Sequence, residues 1–309
     1  MLRHEHIHTI CLDMLGVRPM KELPLPTLPF ADMAPRLRRH AAPALLPALR
    51  LGETAHNRAE RVTRGERVEL DIVWARHQDE VRAAQRLRHR VFAEEMGARL
   101  TPPPGSPAGH DIDLFDAHCE HLLVRAADDP TEVIGTYRVL TPQAARRLGS
   151  WYSDTEFDLT RLRPLQGRMA ELGRSCVHPD HRSGGVILAL WGALASFMQR
   201  NDLDTMIGCA SIPMHDGGHV AASLWEQLRK THLAPIEHHV QPRLALPVDD
   251  LRRDLPVEPP ALIKGYLRCG AKVLGAPAWD PDFNTADLPL MLRLRDMPEK
   301  YRRHFLMTC

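Results

Sequence analysis

No two of the chain's six cysteines, at 11, 119, 176, 209, 269 and 309, stand close enough to form a CxxC pair or a metal knuckle. A disulfide framework is therefore not expected, nor a metal site, and a reducing cytoplasm is the default setting. Neither sign of charge prevails: 40 Lys and Arg face 39 Asp and Glu, for a net charge of +1. A dedicated nucleic-acid binder carries a clear basic excess, so no nucleic acid is expected as a partner. Long hydrophobic runs are lacking as well. The longest uncharged stretch, between Arg182 and Arg200, is marginal against the roughly 20 apolar residues of a membrane span and reads as a core helix. The start, "MLRHEHIHTICLDMLGV", is too polar for the apolar core of a signal peptide. No internal repeat is visible.

What is present is enough apolar material for a sizeable core, with 44% hydrophobic residues in 309. Residues 1–66 read as a proline-rich, partly ordered extension, because "KELPLPTLPF" and "PALLPALRLG" interrupt helices and remove backbone donors. The apolar segment from Leu45 to Leu51 suits a lid or a contact with a membrane surface. Residues 67–309 have the texture of one domain. "VELDIVWA" is expected as a strand and Asp79 to Glu95 as a helix with Val81, Ala84, Leu87 and Val91 on one stripe. "HLLVRAA" and "VIGTYRVL" form a β-hairpin pattern. Met169 to Val177 reads as a strand, and Gly185 to Arg200 as a helix with stripe Ile187, Leu190, Trp191, Leu194 and Met198. "TMIGCA" is a short buried strand, and Ala221 to Lys230 a helix. The interleaving gives a mixed α/β fold around one sheet.

Basic residues cluster at Arg36, Arg38, Arg39 and His40, at Arg82, Arg86, Arg88 and Arg90, and at Lys300, Arg302 and Arg303. Two readings stand: solvated faces, or docking surfaces for an acidic protein or anionic lipid headgroups.

Chemistry concentrates in "MAELGRSCVHPDHRSGG", Met169 to Gly185. A strand leading through a glycine turn into a helix makes an anion site, since the first turn has unpaired N–H groups and the dipole favours negative charge. Arg182 adds charge there, and Gly184 and Gly185 allow close backbone approach. The spacing Val177-x-Pro179-x-x-Arg182-x-x-Gly185 resembles the pantetheine-phosphate loop of the GNAT acyltransferase superfamily. Ile187 stands where that loop has a small residue, which fits a donor bearing only a phosphodiester-linked phosphopantetheine, namely acyl carrier protein.

Further blocks sharpen the resemblance. "LRHRVFAEEMG", "DIDLFD", "GTYRVL" and "ELGRSCV" are similar, in order, to the signature blocks of acyl-homoserine-lactone synthases, except that Ala98 replaces their tryptophan. "GCASIP", "HLAP" and "GAKVLGAPAWDPDFNTADLPLML" instead resemble the ornithine lipid N-acyltransferases. The resemblance implies a GNAT-like fold, with a central mixed sheet flanked by helices. It also implies transfer of a 3-hydroxyacyl chain from acyl carrier protein to the α-amine of L-ornithine. The product would be a lyso-ornithine lipid, made in the cytoplasm with transient contact at the inner membrane surface. No permanently bound cofactor is implied.

An amine attacking a thioester must first lose its proton, which calls for a carboxylate or histidine. Glu171 is the candidate base, with Arg174 as its catalytic partner. Strand alternation puts these two on opposite faces unless a bulge at Gly173 intervenes. Asp113 and Asp116 are candidates for the acceptor's ammonium group, and Arg138 and Arg174 for its carboxylate. A structural ion-pair network of these four is the competing reading. Arg88, Phe92, Val177, Arg182, Gly184, Gly185 and Ser211 are assigned to the donor side. Cys176 with His178 is discounted as a nucleophilic pair, since direct attack needs no covalent step. Two rival functions remain: an acyl-homoserine-lactone synthase using S-adenosylmethionine, and a non-catalytic binder of acyl carrier protein.

Overall fold

The computed structural model describes residues 70–126, 129–182 and 184–306. The expected extension, with its apolar segment and the first basic cluster, lies outside the described residues. In chain order the main strands are β1 (Leu70–Trp74), β2 (Glu120–Ala126), β3 (Asp129–Leu140), β4 (Phe157–Asp158), β5 (Met169–Val177), β6 (Thr205–Pro213), β7 (Gln241–Pro242), β8 (Lys272–Val273), β9 (Ala278–Asp280) and β10 (Thr285–Arg293). The helices are α1 (Gln78–His89), α2 (Pro142–Leu148), α3 (Gly185–Arg200), α4 (His219–Thr231), α5 (Ala261–Arg268) and α6 (Glu299–Leu306).

The large sheet runs β1-β2-β3-β5-β6-β10-β8, with β9 also on β10, while β4 and β7 form a separate ribbon. Every pairing is antiparallel except β5 with β6. A parallel pair needs a crossover, and α3 supplies it. Alternation along the strands sends Leu122, Val124, Ala170 and Met206 to one face, where Val186, Leu190 and Leu194 of α3 cover them. Leu190 is wholly buried, a burial that contributes roughly 1.5–3 kcal/mol. Ala210, Leu288 and Leu290 meet α4 and α5 on that same face. The opposite face carries α1 and the turn that follows it, where Ala84, Leu87 and Val91 pack on Leu123, Val133 and Cys176.

Helix α1 begins where Glu80 reaches back to the N–H groups of Arg76 and His77. The helix expected through Glu95 keeps α geometry only to His89 and continues as a π-helical turn over Arg90–Glu95. The wider turn allows the adjacent Val91 and Phe92 both to enter the core.

Two irregularities shape the middle of the sheet. First, β5 and β6 pair only from Met169 with Thr205 to Glu171 with Ile207, although both strands continue. Gly208 stands at this fork, where a Cβ would strike the carbonyl oxygen of Leu172. Second, the register of β3 on β5 slips between Thr136–Cys176 and Arg138–Gly173, so Arg174 and Ser175 together face Tyr137. Arg174 takes a left-handed φ of 49° in this bulge.

Candidate active site

The bulge returns Arg174 to the face of Glu171, and both side chains meet the turn Tyr152–Thr155. Glu171, 4% exposed, accepts hydrogen bonds from Tyr152 N at 2.6 Å, Ser153 N at 2.7 Å and Ser153 Oγ. Arg174 donates to the Tyr152 hydroxyl at 3.2 Å, and its guanidinium lies 5.0 Å from the ring centres of Tyr152 and Phe283. Burial pushes the Glu171 carboxyl above its ordinary range, an effect its bonds from Ser153 and Tyr152 only partly offset.

The other predicted charges gather around Arg174. Arg88 bonds Asp111 at 2.8 Å and Asp116 at 2.7 Å, Arg138 bonds Asp113 at 2.7 Å and Asp116 at 3.3 Å, and Arg174 lies 3.2 Å from Asp111 and 3.3 Å from Asp113. Burial works against the Asp116 carboxylate, but Arg88, Arg138 and His121 outweigh it and hold its pKa well below the usual range. Three arginines and three aspartates thus neutralise one another. Of these six, Asp111, Asp113 and Arg174 also line the polar cavity described below.

Two donor-side candidates are buried by this packing. Arg88 is 0% exposed, with its guanidinium spent on Asp111 and Asp116, and it belongs to no solvated basic face. Phe92 is buried in the α1 core with its ring edge toward Phe283, 5.7 Å between centres. Val177, Arg182, Gly184 and Gly185 lie in or beside the expected turn. Val177 pairs with Gly135, and Gly184, φ 96°, precedes the first residue of α3, Gly185. Arg182 is exposed and grips Glu95 with two bonds of 2.6 and 2.7 Å. Ser211 is exposed at the far end of β6, opposite Asp287. Cys176 is buried, and burial pushes its thiol up to about 12, so no thiolate forms there near neutral pH.

Two cavities flank the fork. An apolar one of about 90 Å³ lies on the α3 face, lined by Leu172, Trp191, Leu194, Met206, Tyr266 and Phe305 among others. A polar one of about 330 Å³ lies by the turn, lined by Tyr152, Glu156, Arg174, Asp280 and Phe283 among others. Ser153 stands between them: its Oγ is bonded to Glu171 and lies 3.5 Å from the sulfur of Cys209, a residue lining the apolar cavity. Motif reading missed Tyr152, Ser153 and Glu156, because "WYSDTEF" carries no spacing that announces chemistry; the fold alone brings it to Glu171. Asp280 and Asp287 stood in a quoted block, but as marks of resemblance rather than as charges.

The chain is similar to several known proteins. Residues 87–192 match the family described as the Acetyltransferase (GNAT) domain. The acyl-homoserine-lactone synthase LasI aligns over 78% of this chain and 96% of its own, with a TM-score of 0.45 and 14% identity. The homoserine lactone synthase BjaI aligns over 77% and 88%, with a TM-score of 0.46 and 16% identity. Curated relatives are nearer. The L-ornithine N(alpha)-acyltransferase of Rhodobacter capsulatus is 38% identical over 249 residues, 76% of this chain and 94% of its own. That of Agrobacterium fabrum is 34% identical over 254 residues, 76% of this chain and 85% of its own. With a GNAT fold and this identity across nearly the whole length of its relatives, the chain belongs to the L-ornithine N(alpha)-acyltransferase family.

Proposed function

We propose that the protein transfers a 3-hydroxyacyl chain from acyl carrier protein to the α-amine of L-ornithine, releasing a lyso-ornithine lipid. The observation that carries this reading is the fork between β5 and β6, with an apolar cavity on one side and a charged one on the other. A phosphopantetheine arm enters past Gly184, Gly185 and Arg182, where the α3 N-terminus favours its phosphate. The acyl chain lies against Leu172, Leu194 and Met206. Ornithine occupies the polar cavity, with its carboxylate toward Arg174.

The α-ammonium gives up a proton to Ser153 Oγ as that hydroxyl passes its own to Glu171. The neutral nitrogen then attacks the thioester carbon. Backbone N–H groups on the edge of β5 that no longer pairs with β6 meet the negative oxygen. Collapse breaks the C–S bond and expels the pantetheine thiolate, which takes up the second proton released by the new amide nitrogen. A carboxyl raised by burial is matched to this work, because a base is most effective when its pKa lies near the operating pH. Substrate and product are a protein-bound thioester and a lipid, so Lys300, Arg302 and Arg303, all exposed, are read as part of a contact with acyl carrier protein or the inner membrane surface. The described residues include no helix long and apolar enough to cross a membrane.

Incubation of purified protein with 3-hydroxyacyl carrier protein and single amines, read by mass spectrometry, tests the reading. Acyl-ornithine is expected. Transfer to S-adenosylmethionine in its place would identify a lactone synthase, and binding of the carrier without turnover on any amine would identify a carrier-binding protein.

A further inference from the structure

The wall of the polar cavity is not evenly neutralised. Asp111 and Asp113 are paired with arginines, and Asp282 with Arg99 at 3.3 Å. Glu156 and Asp280 also line the cavity, and Asp287 clusters with them without lining it. One oxygen from each of Glu156, Asp280 and Asp287 lies within 4.8 Å of the other two. Among the described residues, no salt bridge reaches any of the three. Asp287 is 4% exposed, with Thr285 Oγ1 donating at 3.0 Å. Asp280 Oδ1 accepts from Asp282 N and Phe283 N. Glu156 is only partly buried as a residue, yet its Oε2 is sealed from solvent with no donor bonded to it, and its carboxyl faces that of Asp287 closely enough to share a proton. A second polar atom of the same wall, Trp279 Nε1, is likewise sealed and unpartnered.

Three carboxyl groups together, one with an unmet acceptor, cost stability unless a cation or shared protons answer them. Burial raises the Glu156 and Asp287 carboxyls most, and the neighbouring acids add to it. We infer that Glu156, Asp280 and Asp287 form the subsite for the side-chain ammonium of the acceptor, making the enzyme selective for a diamino acid. The inference rests on the reading of the polar cavity as the acceptor site. An ammonium carries three donors and offers one to each carboxyl. With its far end anchored there and its carboxylate toward Arg174, the acceptor presents its α-nitrogen rather than its terminal one to the fork.

The test compares kcat/KM for L-ornithine with that for L-norvaline, which has the same carbon chain without the terminal amine. Wild type, Asp287→Asn and Glu156→Gln are measured with and without EDTA, and the Tm of each is recorded. The wild-type enzyme is expected to prefer ornithine strongly. Each variant is expected to lose that preference by about 10- to 100-fold, the range for a lost charge-assisted hydrogen bond. The loss should fall mainly in KM, with Tm unchanged or higher because repulsion is relieved. A wild type that treats the two amino acids alike overturns the inference without any variant. An unchanged preference in folded variants overturns it too, as does ornithine turnover that EDTA abolishes and Mg²⁺ or Mn²⁺ restores. If wild type acylates neither amino acid, the reading of the cavity itself fails. Ornithine turnover with no selectivity defeats only the subsite.

Discussion

Glu171 holds the Tyr152–Ser153 turn with three accepted hydrogen bonds, so its two roles, fixing the turn and taking a proton, are separable only by kinetics. Glu171→Gln presents an amide NH₂ to donors that need an acceptor. It should cost about 1–3 kcal/mol of stability, the penalty for an unsatisfied buried group, while the protein still folds. Its kcat should fall, with partial recovery at high pH, where more of the amine is already neutral. Stopped turnover assays across pH check this, and an unaltered rate profile in the folded variant removes Glu171 from proton transfer. Asp116→Asn acts differently. It strips a charge that both Arg88 and Arg138 use, and breaking such a buried pair costs about 3–5 kcal/mol. Thermal unfolding should report the loss before any assay does. The residue types of this network were legible from "DIDLFD" and "GTYRVL". Whether they met substrate or one another was not, because the pairs close over separations of 22 to 63 residues that only the fold sets.

At the scale of elements, periodicity located β5 and α3 at their observed bounds, since a nine-residue strand and an apolar stripe at helical spacing leave little choice. It did not locate the π-helical turn after His89, whose cause is the packing of two neighbouring side chains. The bulge was foreseen only as a condition on Gly173; in the structure Arg174 and Ser175 carry it. The fork is equally invisible in a strand pattern, because Gly208 differs from any other strand glycine only through its contact with Leu172. Gly208→Ala places a methyl against that carbonyl. The expected result is a stability loss of about 1–3 kcal/mol, typical of overpacking, together with a raised KM for the acyl donor. Denaturant titration and donor kinetics measure the two effects, and a variant with native stability and donor KM would show that the strands do not need to approach closely there.

Among the described residues, buried acids of opposite pH behaviour stand in different parts of the fold, Glu171 sharing the raised direction of Glu156 and Asp287. Asp116 has a depressed pKa in the folded state, so its contribution is present above the unfolded value, about 3.9, and lost as pH falls toward the folded one. Glu156 and Asp287 have raised values, so the fold binds their protons more tightly than the unfolded chain does. Stability is therefore lost as pH rises from the ordinary carboxylate range through their folded values. The Tm profile should fall on both sides, and Asp287→Asn should flatten the upper side alone. A chain of near-zero net charge gave no hint of this, because the two clusters draw on segments far apart in sequence. The most direct measurement of the central claim is the position of the amide in the product made from acyl carrier protein and ornithine labelled with ¹⁵N at the α-nitrogen. Tandem mass spectrometry should find the acyl group on the labelled nitrogen only. Acylation of the unlabelled terminal nitrogen, or no amide at all, would contradict an acceptor held by its far end beneath the β5–β6 fork.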